Sequence, residues 1–163
     1  FISVHANASE SSNSNGFETF YLDNNVDAAV KKVVRIENGE HTHPMNNELT
    51  GDSLTGQILA EIVVGENIPR SKKLGNFIHQ SVDRSISKKY NIKNRGIKPG
   101  LFYVLAMTKI PGVLLEAGFL SNKKDLKLMK NKRFMDDYAA SVAMGVNKYL
   151  KTTKKDSRLL SEK

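Results

Sequence analysis

The sequence predicts an α/β fold with a three-layer arrangement, in which helices cover both faces of a mostly parallel, twisted sheet. Short apolar runs of strand length alternate along the chain with longer stretches whose apolar residues recur at helical spacing. Residues 113–115 are apolar at every position, which is typical of a parallel strand buried on both faces. The 163 residues, 39% of them hydrophobic, are enough for one domain with a substantial core.

The first half of the chain begins with two predicted strands. Residues 1–6 alternate in polarity, and because both faces carry apolar side chains we expect a central strand with His5 on one face. A Ser/Asn-rich loop follows, and the aromatic and β-branched residues 17–22 predict the second strand. Helical spacing then predicts helices over residues 26–34 and 52–63, separated by a polar loop.

The second half carries one long helix, two more strands and two C-terminal helices. Residues 71–90 have an apolar stripe at helical spacing. Residues 91–100 contain two glycines and a proline, which indicates a turn region. The remaining strands are predicted over residues 101–105 and 112–115, the second ending directly before Glu116. One helix is predicted to begin at the pair Ser121-Asn122, and a final helix is predicted over residues 134–150.

Composition limits the function classes. The net charge of +8 favours an anionic polymer as partner, such as a glycan strand, nucleic acid or a membrane surface. Nucleic-acid binding rests on basicity alone, because phosphate loops, zinc-finger spacing and aromatic-basic interleaving are all missing, and we do not expect it. No run of residues approaches the length of a membrane span. The chain has no cysteine, which excludes disulfides, thiolate metal ligands and a cysteine nucleophile.

One histidine and one carboxylate stand at the ends of predicted strands. If their strands run parallel, His5 and Glu116 face the same crevice at the carboxyl edge of the sheet, a pairing that suggests metal-assisted hydrolysis. A carboxylate buried at the end of an apolar strand suits a general base. Two structural alternatives stay open: Glu116 paired with Arg95 or Lys98 at the rim of the sheet, and His5 as a hydrogen-bonded core residue.

Several segments are informative when their order is considered together. They read FISVHANA (1–8), GFETFYL (16–22), SKKLG (71–75), NRGIK (94–98), FYVL (102–105) and IPGVLLE (110–116). This ordered set resembles the Amidase_3 family of zinc-dependent N-acetylmuramoyl-L-alanine amidases over roughly residues 1–150. The resemblance implies hydrolysis of the amide bond between N-acetylmuramic acid and the L-alanine of the peptidoglycan stem peptide, in the bacterial periplasm or cell envelope.

The resemblance also implies roles for two residues. His5 corresponds to a ligand of the family's Zn²⁺, and Glu116 to the base that activates the zinc-bound water and then protonates the leaving amine. The family's other two ligands, a His and a Glu, have no counterpart in this sequence, and we expect them upstream of Phe1. Since a catalytic zinc normally takes three protein ligands, we expect the polypeptide by itself to be inactive. The alternative is a degenerate domain that binds cell wall without cutting it.

Other residues are candidates for contact with the peptidoglycan substrate. Asn7 and Arg95, together with Lys98, are of the right type to meet the carboxylates of a muropeptide. Phe102 and Leu105 are expected to shape the apolar side of the cleft. For all of these residues the structural alternatives, turn stabilisation and core packing, stay open.

The resemblance also implies an insertion at residues 23–68 within the catalytic domain, which we expect to span residues 1–150. Some cell-division amidases of the family carry there a helix that covers the zinc site until an activator protein displaces it. By its position at the end of the first inserted helix, Glu37 is a candidate for the blocking carboxylate. The alternative is a helical excursion that only packs on the sheet.

The remaining histidines and the C-terminus have simpler predictions. His41 and His43 lack a third ligand at regular spacing and are assigned to a surface loop, and His79 is assigned a structural role in a helix. The basic residues 151–163 are expected to form a disordered tail, because they bury too little apolar surface to fold. We expect a monomer.

Overall fold

The computed structural model describes residues 1–23, 67–106 and 108–161. Four strands form one sheet, namely β1 (Ile2–Asn7), β2 (Phe17–Leu22), β3 (Asn94–Gly100) and β4 (Val113–Phe119). Their order across the sheet is β1-β4-β2-β3. Strand β1 is parallel to β4 and β2 is parallel to β3, whereas β2 and β4 are antiparallel. The predicted α/β class is confirmed, with a mixed sheet in which two parallel pairs meet at one antiparallel boundary.

Within the described part of the chain, two long helices and three short ones accompany the sheet. They are α1 (Asn67–Val82), α2 (Lys88–Tyr90), α3 (Tyr103–Ala106), α4 (Lys123–Met129) and α5 (Lys132–Ser161), with a π-helical segment (Asp83–Ser87) joining α1 to α2. The helix predicted over residues 71–90 is therefore confirmed and begins slightly earlier. The helices predicted over residues 26–34 and 52–63 lie outside the described residues.

The larger core lies between α1, α5 and one face of the sheet, here called the helix face. The alternation along β4 directs Val113, Leu115 and Ala117 to the helix face, where all three are buried. Apolar side chains of the two long helices complete this core, among them Leu74, Ile78, Val82, Phe134 and Tyr138. The amphipathic patterns of α1 and α5 therefore face each other and the sheet.

The opposite side of the sheet, here called the site face, has a smaller core. Phe20 of β2 and Leu114 of β4 pack there against Phe102 and Leu105. The rings of Phe20 and Phe102 have their centroids 4.9 Å apart. Because Leu105 belongs to α3, helices contact both faces of the sheet, as the sequence predicts.

The segment 91–105 differs from its prediction. The strand lies over Asn94–Gly100, where a turn is expected, and residues 103–106 form a helical turn, where a strand is expected. Strand β3 is at an edge of the described sheet, so Pro99 interrupts no hydrogen-bond ladder on its outer side. The apolar residues after Gly100 pack as a short helix on the site face. The turn predicted from glycine and proline and the strand predicted from a brief apolar run were therefore both wrong.

Two other strand predictions change in detail. Strand β4 continues to Phe119, so Glu116 lies within the strand and not just beyond its end. Among the described strands β1 occupies an edge, whereas the alternation of its residues predicts a central position.

The C-terminal helix also extends beyond its predicted end at residue 150. Helix α5 continues to Ser161, so the backbone is helical over most of the segment expected to be a disordered tail. The Thr153 hydroxyl donates to the Tyr149 carbonyl at 2.9 Å, as a threonine inside a helix can. Lysine, arginine and leucine are all good helix formers, so local propensity favours this extension.

A glycine permits the close crossing of α1 and α5. A Cβ atom added to Gly145 would lie 2.8 Å from the backbone nitrogen of Ile78, and closer still to its Cα. The neighbour is backbone and cannot move aside as a flexible side chain would. Gly145 therefore sets the separation of the two long helices.

Replacing this glycine tests the close approach. In an open helix Gly145→Ala would raise the free energy of unfolding by up to about 1 kcal/mol. Because the Cβ overlaps Ile78, we expect it instead to lower that free energy by about 1–3 kcal/mol in urea unfolding. Met144→Ala, at an exposed neighbouring position, is the control and should have little effect. A Gly145→Ala variant as stable as the control would contradict the crossing geometry.

His79 links the helix face to β2 and β3. Its Nδ1 lies 3.0 Å from the Thr19 hydroxyl, and its Nε2 lies 2.8 Å from Oδ1 of Asn94. Since Asn94 Oδ1 accepts hydrogen bonds, a neutral ring with the proton on Nε2 satisfies both contacts. Burial lowers the pKa of His79, and this outweighs the opposing effects of Asn94 and Asp83. The predicted structural role fits this network.

The lowered pKa of His79 makes stability depend on pH. An unfolded histidine gains its proton near pH 6.5, whereas the folded protein keeps His79 neutral to lower pH. The unfolded state then binds more protons, so the stabilisation is complete above pH 6.5 and declines as the pH falls below it. We expect the urea midpoint to fall between pH 7.5 and pH 5, and to fall less in His79→Gln. An equal fall in both proteins would count against the assignment.

Candidate active site

The register of the sheet places three ionisable residues in a row on the site face. His5 of β1 is the partner of Glu116 in β4, and Glu116 is in turn the partner of Glu18 in β2. Cross-strand partners project from the same face, with their Cβ atoms about 4.5–5.5 Å apart. The two residues predicted from strand ends therefore lie side by side, and a second carboxylate lies beyond them.

Glu116 is the central residue of this row. It is 0% exposed and stands in a strand whose seven residues are all buried. Burial of a carboxylate is unfavourable unless function or pairing retains it, which makes this residue the main catalytic candidate. Glu116 also affects a residue on the helix face. The pKa of Tyr138 in α5 is raised, mainly by burial and secondarily by the negative charge of Glu116.

Glu18 is a second buried carboxylate, only 1% exposed, with hydrogen bonds to both of its oxygens. The side-chain amide of Asn7 donates to Oε1 at 2.7 Å. Arg95 Nε and Lys98 Nζ donate to Oε2, at 3.0 and 2.6 Å. Two cations and one amide thus compensate the charge of Glu18.

The two cations lie at the border between this cluster and solvent. The side chains of Arg95 and Lys98 are 28% and 29% exposed. The guanidinium of Arg95 lies 5.0 Å from the centroid of the Phe119 ring, and Lys98 Nζ lies 5.9 Å from that of Phe20. Counting Glu18 as ionised, the three charged groups leave one net positive charge beside Glu116.

The structure brings together most of the residues predicted for the site. His5, Asn7, Arg95 and Glu116 share the site face with Lys98, but Asn7 is buried against Glu18. The carboxylate that pairs with both Arg95 and Lys98 is Glu18. Phe102 and Leu105 are buried in the smaller core, which favours their packing role. Glu37, His41 and His43 lie outside the described residues.

Sequence reasoning missed Glu18 as a functional candidate. The available signal was an acidic residue within a strand of aromatic and β-branched residues, GFETFYL. Such a residue is expected to be exposed unless it is paired. Its partners are 77 and 80 residues away in the chain, so only the sheet pairing shows them.

A network of loop contacts fixes the strand ends next to the site. Asp125 Oδ2 accepts hydrogen bonds from the backbone N–H groups of Gly16, at 2.7 Å, and Phe119, at 3.1 Å. The amide of Leu120 donates to the Asn7 carbonyl at 2.7 Å. Gly16 has a φ of +108°, a conformation that other residues rarely adopt. These contacts join the ends of β1 and β4 to the start of β2.

The metal-binding capacity of this face is limited in the part of the chain that the structure describes. Within it, no group of three or more His, Cys, Asp or Glu residues could hold a metal ion. His5 has a suitable imidazole, but a catalytic zinc normally takes three protein ligands. The described residues therefore do not form a complete zinc site.

A family model supports the sequence resemblance. The model of Amidase_3, described as N-acetylmuramoyl-L-alanine amidase, matches residues 1–148. The chain belongs to this amidase family. The resemblance read from the ordered segments is confirmed, and the match includes every residue of the row on the site face.

Named relatives and solved structures agree with the amidase family assignment. N-acetylmuramoyl-L-alanine amidase AmiA of Escherichia coli K12 is 26% identical over 151 residues, which cover 91% of this chain and 51% of AmiA. The corresponding LytC of Bacillus subtilis is 25% identical over 91% of this chain and 21% of its own length. The CwlD amidase of Clostridioides difficile, solved in complex with the GerS lipoprotein, is 27% identical with a TM-score of 0.61. That match covers 93% of this chain and 54% of CwlD.

These matches cover only part of the length of each relative. The chain spans about half the length of AmiA and about a fifth of that of LytC. The described helices also include none that is both long and apolar enough to span a bilayer.

The contacts of Asp125 predict a large effect of its removal. Asp125→Ala leaves the buried amides of Gly16 and Phe119 without their acceptor, and each such loss costs about 1–3 kcal/mol. We expect the free energy of unfolding to fall by about 2–4 kcal/mol in urea titrations. The control is Asp136→Ala, which removes an exposed ion pair with Lys132 and should change it by less than about 1 kcal/mol. Similar losses in the two variants would contradict the anchoring role.

Proposed function

We propose that this domain hydrolyses the amide bond between N-acetylmuramic acid and the L-alanine of the peptidoglycan stem peptide. The observation that carries the proposal is the buried Glu116 in register with His5 on a face of the sheet that the long helices leave uncovered. Membership of the amidase family and the names of the relatives support the substrate class.

Glu116 is the proposed catalytic residue. Its carboxylate accepts a proton from the water that attacks the amide carbonyl, and then donates that proton to the departing nitrogen of L-alanine. Proton transfer by a positioned side chain contributes typically a factor of about 10²–10⁴ to a rate. The position of Glu116 suits this role, because a regular strand holds its carboxylate in register with His5.

His5 is proposed as one ligand of a zinc ion. The imidazole of His5 would help to hold this ion, which would supply Lewis-acid activation of the amide carbonyl and of water. The described residues supply one imidazole of the three protein ligands expected, so the proposal places the other two outside them. Activity therefore depends on ligands beyond the row on the site face.

Substrate contacts are proposed at the positive edge of the site face. Arg95 and Lys98 are partly exposed beside Glu116 and suit the carboxylates of a stem peptide. The proposed role of Asn7 in substrate binding is indirect, because its buried amide donates a hydrogen bond to Glu18. Phe102 and Leu105 are buried, so they support the site from the core.

A protein partner and a compartment complete the proposal. CwlD has been solved with the GerS lipoprotein, and by analogy we propose an activator that acts on the insertion at residues 23–68. Glu37 in that insertion is the proposed blocking carboxylate, as in a cell-division amidase. Deletion of residues 38–64 should then raise cleavage activity, and unchanged activity would contradict the regulation. The proposed location is the bacterial periplasm or cell envelope.

The catalytic proposal is tested with Glu116→Gln, which keeps the size of the side chain and removes its basicity. Cleavage of a muropeptide is measured for the chain alone, and for the chain preceded by the portion of AmiA that it does not match. We expect cleavage in the fusion only, with zinc bound, and a fall in kcat of at least about 10²-fold in Glu116→Gln. Lys132→Gln, at an exposed surface pair, is the control and should retain full activity.

Two results would contradict the amidase proposal. An active Glu116→Gln fusion would remove Glu116 from the mechanism. A fusion that binds zinc and muropeptide but releases no product would favour the alternative, a cell-wall-binding domain that uses its net charge of +8.

A further inference from the structure

We infer that Glu18 is a positioning residue, whose buried carboxylate holds Arg95 and Lys98 so that their remaining N–H groups bind a carboxylate of the stem peptide. The inference rests on the proposed amidase function and extends it from the reacting bond to substrate selection. It assigns a role to a buried acidic residue that the catalytic step does not use.

Glu18 is buried among hydrogen-bond donors. The side chain is 1% exposed, yet it is surrounded by donors and not left in an apolar pocket. Its Oε1 accepts from Asn7, and its Oε2 accepts from both cations at distances typical of charge-assisted hydrogen bonds. A simple core position would be filled more favourably by an apolar side chain. The ionic cluster therefore points to a function beyond stability.

Arg95 and Lys98 keep hydrogen-bond donors that their contacts with Glu18 do not use. Arg95 uses Nε for Glu18 and Nη1 for the Asn15 carbonyl at 3.5 Å. Within the described residues, Nη2 of Arg95 and two of the three N–H groups of Lys98 have no protein acceptor. Both side chains are more than a quarter exposed, so these donors are accessible to a ligand. A planar carboxylate is the acceptor that arginine and lysine together suit.

Glu18 lies between the proposed base and the two cations. It is the direct partner of Glu116 across the antiparallel boundary, and Arg95 and Lys98 lie on its other side, in the next strand of the sheet. A carboxylate bound by Arg95 and Lys98 would hold its substrate beside Glu116. The two cations attract that anion, and without Glu18 their side chains would be free to adopt other rotamers.

The aromatic neighbours add to this fixed arrangement. The guanidinium of Arg95 lies over the Phe119 ring, and the ammonium of Lys98 over the Phe20 ring. Cation–π contacts of this kind restrict the directions in which each side chain can point. Each cation is therefore restrained both by Glu18 and by an aromatic ring.

The experiment measures binding and not cleavage, using the full chain. The probes are a muramoyl dipeptide whose second residue carries free carboxylates and the same compound with those carboxylates converted to amides. Binding is followed by NMR titration for the original chain, Glu18→Gln and Glu18→Asp. We expect the original chain to prefer the free carboxylates by about tenfold and Glu18→Gln to lose this preference.

Two further variants separate positioning from simple charge balance and from structural damage. Glu18→Asp keeps the charge but withdraws the carboxylate by one methylene, so the preference should be reduced if position matters. Arg95→Gln and Lys98→Gln should each reduce it too, without weakening the amidated probe. The solvent-exposed Lys132→Gln is the control and should retain the full preference. Circular dichroism verifies that every variant is folded.

Each outcome has a defined meaning. Loss of the carboxylate preference in folded Glu18→Gln supports the inference, even if the catalytic test fails. An original chain without such a preference overturns it, and so does an undiminished preference in Glu18→Gln. If Glu18→Gln does not fold, an undiminished preference in both Arg95→Gln and Lys98→Gln overturns it. Cleavage by the fusion combined with no carboxylate preference would reject the inference and retain the amidase proposal.

Discussion

The pairing of β4 with both of its neighbours is the constraint on which the candidate site depends. The parallel register with β1 places His5 beside Glu116, and the antiparallel register with β2 places Glu18 on its other side. Because side chains alternate along a strand, a shift of one residue in either pairing would send one of these groups to the opposite face. The hydrogen bonds of Asp125 at the ends of β2 and β4 help to hold that register.

Glu18 and Glu116 are buried carboxylates in adjacent strands, and basic residues of β3 compensate the negative charge of Glu18. Unscreened like charges at such short range are unfavourable, and Arg95 and Lys98 of β3 compensate Glu18 through short ion pairs. Strand β3 supplies both basic residues of this cluster, while its Ile97 packs against the larger core on the helix face.

The two faces of the sheet serve different purposes. On the helix face, α1 and α5 approach closely at Gly145 and bury most of the core, while His79 ties α1 to β2 and β3. This packing supports the strands from behind, so the functional side chains stand on regular secondary structure. On the site face the described core is small, and the polar row lies next to it. Side chains placed on strands keep their geometry better than side chains on loops.

The sequence by itself determined the α/β class and the family and pointed to the two residues proposed for catalysis, because buried strands, helical periodicity and the ordered segments are local signals. His5 and Glu116 could be paired in advance since adjacent parallel strands share an edge. The residues after Asn91 were misassigned. Glycine and proline favour turns by local propensity, but pairing with β2 makes residues 94–100 a strand. Only the tertiary structure identified Glu18 and showed that Arg95 and Lys98, which the sequence offered as partners of Glu116, pair with Glu18. It also placed Phe102 and Leu105 in the core. Those contacts join residues far apart in the chain, and strand pairing, a non-local choice made by burial and charge, decides which of them meet.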